Sequence, residues 1–238
     1  MTRLSRRAQN RIERENRFLD AALKVFSRTG YTAANMDDIA TEAGLSKPTL
    51  YQYFGSKSDL FTAMMLRARG AMMIQFDTGD AEGMVPVLHQ FAWNYAHTVL
   101  SPAFLSLARL IIGEVQRFPE IGRAYQAAGP DRLLQGIMDY LTAQRAAGRL
   151  AFDDPELAAE DLWGLILSAP RTRALHNPQA TATDADLKRY IDNGLRVFLR
   201  AYSTQPVRDL AQLESLLKPE PQAKPDTAAQ ATSETGTT

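Results

Sequence analysis

The stretch NMDDIATEAGLSKPTLYQYF, from Asn35 to Phe54, decides how this chain folds at its front. Asn35 is a residue type that caps helix N-termini, and Asp37 and Asp38 follow in the first turn, where carboxylates favour the positive end of the helix dipole. A helix therefore begins near Met36. Ile39, Ala40 and Ala43 place small and apolar groups on one face, and Gly44 supplies the residue best able to take a left-handed exit. Ser46 then caps a second helix with Pro48 in its first turn, where a missing N–H costs nothing. Leu45, Leu50 and Phe54 point back to the first helix, which leaves Lys47, Thr49, Tyr51, Gln52 and Tyr53 facing outward.

Two short helices joined by a glycine turn make a helix-turn-helix, and the flanks extend it. Upstream, Arg11 to Arg28 carries Phe18, Ala22, Val25 and Phe26 at helical spacing and stops at Gly30 and Tyr31. Downstream, Ser56 to Asp59 reads as a capping box that opens a helix from Lys57 to about Ala71. In a helix-turn-helix the N-terminal end of the second helix enters the major groove, so Lys47, Pro48 and Thr49 are the candidates for base edges. Tyr51, Gln52 and Tyr53, a turn later, can reach phosphates and sugars; Asn35 and Lys57 can hold phosphates through side chains or N–H groups. Tyr51 and Tyr53 have a second reading as half-buried aromatics with only the hydroxyl in water.

The string AALKVFSRTGYTAANMDDIATEAGLSKPTLYQYFGSKSDLF, residues 21–61, resembles the N-terminal domain of TetR/AcrR-family transcriptional regulators in the order of its elements and in the run from Leu50 to Phe54 followed by Ser56 and Lys57. The family usually carries a hydroxyl residue where Ala34 stands and often a His where Tyr53 stands. Farther on, SPAFLSLARLIIGEVQRFPEIGRAYQAAGP (101–130) and DDPELAAEDLWGLI (153–166) resemble the C-terminal domain of the AcrR-like branch. The resemblance implies an all-α protein, a homodimer on double-stranded palindromic operator DNA, and a small apolar or amphipathic effector that releases it, hence a repressor. Two other classes stay open, an architectural or ligand-independent DNA-binding protein and a helical enzyme that retains a DNA-binding domain.

Composition sets limits. At 238 residues the chain can bury one small and one larger domain. Its net charge is zero but uneven, with ten Lys or Arg against seven Asp or Glu in residues 1–60. Arg3, Arg6, Arg7, Arg11, Arg14 and Arg17 concentrate at the front, where residues 1–11 read as a disordered basic arm able to reach flanking phosphates. There is no cysteine, so neither a disulfide framework nor a thiolate metal site is expected. No apolar run has the length to span a bilayer and no signal-peptide core precedes the domain, which points to the cytoplasm and no membrane partner. His89, His97 and His176 are too dispersed to share a metal, no catalytic constellation can be assembled, and no cofactor is expected.

The front domain is expected over 12–72 and a helical effector-binding and dimerisation domain over 73–218. Within the latter, helices are expected at Met84 to Leu100, Ala103 to Arg117, Ile121 to Gly148, Pro155 to about Ala174, with Pro170 ending or bending it, and Asp184 to Tyr202, with a further short one at Pro206 to Lys218. Residues 219–238 hold no aromatic and no aliphatic side chain larger than Ala and read as a disordered tail. Met and aromatic residues gather between Met64 and Tyr140, and Met65, Met72, Phe76, Trp93, Phe104 and Met138 are the candidate pocket lining. The stripes holding Leu162 and Ile166, and Leu187, Ile191, Leu195 and Phe198, are candidates for a four-helix dimer interface, or else for the subunit's own core.

Overall fold

A computed structural model describes residues 5–72, 83–180 and 182–217. Among them the secondary structure is helical apart from one isolated antiparallel bridge between Leu150 and Ser203. The order is α1 (Arg6–Ala33), α2 (Met36–Ala43), α3 (Lys47–Tyr53), α4 (Lys57–Met72), α5 (Met84–Val99), α6 (Pro102–Glu114), α7 (Pro119–Ala128), α8 (Pro130–Ala146), α9 (Pro155–His176), α10 (Asp184–Tyr202) and α11 (Pro206–Leu217).

The start and stop signals act where the sequence places them. Asn35 accepts the Asp38 N–H at 2.8 Å, Ser46 accepts that of Thr49 at 3.3 Å, and Gly44 closes α2 in the left-handed region at φ 62°. Gly30 (φ 78°, ψ 163°) breaks α1 before its last residues, so the chain turns there rather than ending. Thr183 and Asp186 form a reciprocal capping box at α10.

Two expectations need correction, and a third, that Pro170 ends or bends its helix, is narrowed. The basic arm is helical from Arg6, because Ser5 caps α1 by accepting the Ala8 N–H; residues 1–4 lie outside the described residues. The single helix expected over 121–148 is two, divided at Gly129 and Pro130, where the proline forces the preceding residue out of the helical region. Pro170 does not end α9, which runs on to His176. The turn beyond it is held from outside: the Arg109 guanidinium on α6 donates to the Ala174 carbonyl at 2.7 Å and the Leu175 carbonyl at 3.0 Å. The expected tail at 219–238 lies outside the described residues.

Two cores organise these helices. The front core centres on Phe18, Phe26, Ile39, Leu50 and Leu60, all fully buried, yet it also takes in Leu107, Leu110 and Ile111 of α6 and Ile121 of α7. The front domain is thus completed by α6, which lies along α1. The rear core joins α5, α8, α9 and α10 around Phe91, Ile137, Leu141, Leu162, Ile166, Ile191 and Phe198. At its tightest point Gly194 of α10 meets α9, where a Cβ would stand 2.6 Å from the Leu165 carbonyl oxygen. No single helix among the described residues is long and apolar enough to cross a membrane.

Candidate nucleic-acid interface

The reading helix α3 is held from one side and open on the other. Leu50 is fully buried, which stabilises its seat by roughly 1.5–3 kcal/mol, and Phe54 closes the helix within the same core. Lys47, Pro48, Tyr51 and Gln52 are exposed, and Thr49 is half-buried with its hydroxyl 2.7 Å from that of Ser46. Of the two tyrosines, Tyr53 takes the packed position: its ring lies 5.6 Å from Phe18, and the Arg11 guanidinium sits 5.9 Å above it. Tyr51 keeps 45% of its surface in solvent.

Lys47, at the groove end, is tied to Asp37 of α2 by an ion pair at 2.7 Å. The hydrogen bond and charge of Asp37 raise its ammonium above the ordinary lysine range, so it is charged at neutral pH. The cation at the groove end is thus already paired within the protein. Sequence reading missed Asp37 as a partner, although a carboxylate in the first turn of α2 is on the correct side to meet the start of α3.

Lys57 is committed elsewhere. Its ammonium donates to the carbonyls of Tyr31 at 2.7 Å, Ala34 at 2.9 Å and Thr32 at 3.2 Å, and lies 4.6 Å from the Tyr31 ring centre. Three donors meet three acceptors. Burial lowers its pKa, with the Glu114 carboxylate opposing. The side chain therefore clasps the end of α1 to α4, and its three donors are taken up within the protein rather than offered to a phosphate; the α4 N-terminus beside it is capped by Ser56, which accepts the Asp59 N–H at 3.1 Å. Arg17, one of the arginines expected near phosphates, likewise turns inward and donates to the Ala43 carbonyl at 2.7 Å, at the negative end of the α2 dipole. Asn35 is exposed, and its amide donates to Asp38 at 2.8 Å.

A second contact links the front to the rear. The Glu114 carboxylate, last residue of α6, accepts the Tyr31 N–H at 2.9 Å beside the Gly30 break, and Phe118 packs edge-on against Tyr31 at 5.3 Å. Nothing in the sequence pairs positions 31 and 114; only the fold does.

An apolar cavity of about 340 Å³ opens between the two cores, lined by Leu23 of α1, Met64 and Arg67 of α4, Thr98 and Ser101 at the turn after α5, and Ala103, Phe104 and Leu107 of α6. Of the six residues expected to line a pocket, Phe104 does so here. Trp93 packs on the rear core, donates to His89 at 3.1 Å and stacks on His97 at 5.5 Å; Met138 also packs on that core. The side chains of Met65 and Met72, and the whole of Phe76, lie outside the described residues.

The candidate dimer residues are core. Leu162, Ile166 and Ile191 are 0% exposed within a single subunit, Phe198 likewise, Leu195 1% and Leu187 3%. They face one another and α5 rather than a partner. The stripe was legible, but amphipathicity specifies that a face is covered, not by which chain. What α9 and α10 leave in solvent is a different row, Leu157, Asp161, Gly164 and Ser168 on one and Asn193 and Val197 on the other.

A capped helix-turn-helix on a three-helix support, followed by a larger helical domain, defines a two-domain DNA-binding regulator. The chain belongs to the tetR family of bacterial regulatory proteins: residues 18–64 match that family's N-terminal domain, and residues 86–204 match the AefR-like transcriptional repressor C-terminal domain. Among solved structures it is similar to a TetR-family transcriptional regulator from Mesorhizobium loti (28% identity, TM-score 0.69, 84% of this chain and 100% of that one). The flavonoid-responsive regulator FrrA shows 30% identity and a TM-score of 0.67 over 81% of this chain and 98% of its own. In sequence, the transcriptional activator FasR of Mycolicibacterium smegmatis is 53% identical over 57 residues, 24% of this chain and 26% of FasR. The transcriptional repressor NicS of Pseudomonas putida is 31% identical over 106 residues, 42% of this chain and 49% of NicS. The matched part thus spans about a quarter to a half of those two relatives.

Proposed function

We propose that the protein is a homodimeric, effector-responsive transcriptional repressor that binds a palindromic operator through α3 and is released by a small apolar or amphipathic molecule. The observation that carries the DNA-binding half is the two-sided seat of α3, with Leu50 locked in the core and Lys47, Pro48, Tyr51 and Gln52 offered to solvent. Two such helices on a two-fold axis address successive major grooves. Lys47 exchanges its bond to Asp37 for a base edge, Thr49 reads beside it, and the α4 N-terminus anchors a phosphate. The exposed row of α9 and α10, centred on Gly164, Ser168 and Val197, offers the partner a face of small side chains on which helices can approach closely.

The input is supported by the cavity between the cores. Its volume lies at the lower end of the range for small-molecule sites, and its lining is shared between helices that carry the reading head and helices that do not. Filling it separates α4 from α6 and shifts α3 relative to the dimer. FrrA, which shares this fold, is flavonoid-responsive; an input of that general kind suits an apolar cavity of this size. Effector and operator then weaken each other by the same factor.

Gel-shift titration of the neighbouring promoter against random duplex, with and without flat or flexible hydrophobic compounds, tests both halves. Promoter-selective binding that falls as a compound saturates the protein is the expected result. A compound that binds tightly without changing operator affinity is not the effector, since equal affinity for both states shifts nothing. Binding without sequence preference would replace this reading with the architectural one.

A further inference from the structure

The first part of α1 takes no share in the front core. The helix begins at Arg6, where Ser5 caps it, yet no side chain from Ser5 to Arg17 is buried and the core starts only at Phe18. Arg6 to Arg17 therefore form about three turns, or about 18 Å, of solvated helix. Even Ile12, its one large aliphatic side chain, keeps 45% of its surface in water. A helix segment without a core face contributes little to folding, so its side chains are available for contacts outside the subunit.

Spacing orders those side chains. Arg7, Arg11 and Arg14 are four and three residues apart and Phe18 stands four farther on, so all four share one face of α1. Phe18 is the fixed end of this row: fully buried, its ring lies 5.6 Å from that of Tyr53 and 6.3 Å from that of Phe54, at the end of α3. Arg11 stands next to the same helix, its guanidinium 5.9 Å above the Tyr53 ring, within reach of a cation–π contact. Arg7, Arg11 and Arg14 are all exposed. Of the acids in the segment, Glu15 is half-buried beside Arg11, whereas Glu13, like Arg6, stands well off the row. A line of positive charge thus runs out from the end of the reading helix.

We infer that Arg7, Arg11 and Arg14 form a second DNA-contacting element, a helical row that holds duplex phosphates beside the groove that α3 enters. Charge complementarity and continuity with α3 choose the occupant: a guanidinium fork matches phosphate oxygens, and the row begins where the reading helix ends. Because the row is helical, its charges are held in register with α3 and lengthen the footprint of each subunit. The inference builds on the DNA-binding reading of α3, but phosphates carry no sequence, so the row acts on any duplex.

The test is a salt series of binding by the full-length protein to the neighbouring promoter and to random duplex of the same length, with hydroxyl-radical footprinting on the promoter. Arg14→Gln should flatten the slope of log affinity against log salt by about one for each subunit bound, and Arg7→Gln with Arg14→Gln by about two, alike on both duplexes. The ratio of promoter to random affinity should stay as it was. Arg6→Gln removes the same charge from off the row and should leave the slope nearly unchanged. All three positions are exposed, and circular dichroism confirms that the variants keep their helix. In the double variant the footprint should lose protection at the outer edge of each half-site. An unchanged slope in the double variant, or a loss from Arg6→Gln as large as that from Arg14→Gln, would overturn the inference, the latter by showing a diffuse charge rather than a row. A parent that prefers the promoter while the double variant keeps its slope sinks the row alone. A parent without preference whose slope still flattens in the double variant sinks the operator reading and keeps the row, and a parent that binds no duplex ends both.

Discussion

Front and rear differ in how closely side-chain role follows local sequence. From Asn35 to Phe54 several polar contacts close within the stretch itself: Asn35 to Asp38 and Ser46 to Thr49 three positions apart, and Lys47 to Asp37 across the turn. Along α9 and α10 the deciding contacts run between distant helices, as from Tyr202 to Asp161 or Arg109 to Ala174. Where caps and turns set the structure, the outward face can be read directly. Where long amphipathic helices set it, a stripe identifies a buried face and leaves its cover open.

The strongest way to break that comparison is a charge in the α10 stripe. Leu195 is 1% exposed inside its own subunit. Leu195→Glu should therefore cost more than about 4 kcal/mol and unfold the rear domain rather than separate folded subunits. Circular dichroism with sedimentation distinguishes the two. A variant that stays helical, melts cooperatively and runs as a monomer would return the stripe to the dimer interface.

Lys57 sharpens the other side of the contrast, because it is a front residue whose role is not local. Lys57→Met removes the donors to the Tyr31, Thr32 and Ala34 carbonyls and should destabilise the front by about 2–3 kcal/mol in urea unfolding. The salt dependence of DNA binding should keep its slope, since a side chain that holds no phosphate releases no counterion. Unchanged stability together with a slope lower by about one would mean that Lys57 touches DNA and the clasp does not form in solution.

A smaller effect is expected at Lys47. Lys47→Ala should relax preference at one operator position by about 1–2 kcal/mol and weaken random DNA less. Asp37→Asn should strengthen binding to both, because it frees the ammonium from its competitor and removes a negative charge facing phosphate. Weaker binding by Asp37→Asn would show that the Asp37 contact orients Lys47 for DNA rather than competing with it.

Legibility followed the same division. The helix-turn-helix, its caps and the outward set on α3 were readable because each depends on residues no more than a turn apart. The inward turn of Arg17 and the clasp of Lys57 were not, since both answer to helix-end carbonyls that only tertiary packing brings near. In the rear, helix existence was readable from period, and α10 matched at both ends. The division at Gly129 was missed because apolar spacing runs on across it, and Pro170 left an end or a bend open, while the turn beyond it is bonded by the distant Arg109. Beside Met64 and Phe104, the cavity draws on Leu23, Thr98 and Leu107, which no Met or aromatic count would select.

The smallest predicted effect concerns the bond that ties α10 to the outer row of α9. Tyr202 donates its phenol proton to Asp161, and that hydrogen bond, then burial, then the carboxylate's charge push its pKa up to about 12. The folded chain therefore holds this proton over a range in which the unfolded chain, with an ordinary phenol near about 10, has lost it. The resulting stability is fully present below about pH 10 and disappears as pH rises through 12. The pair is near the surface and screened, so Tyr202→Phe should lower stability by less than about 1 kcal/mol at neutral pH. Its deficit relative to the parent should shrink to nothing in the alkaline range, and a difference titration of phenolate absorbance should show one late-ionising group missing from the variant. Identical alkaline profiles for parent and variant would mean that α9 and α10 are joined by their buried stripe alone, leaving Asp161 free for the partner subunit.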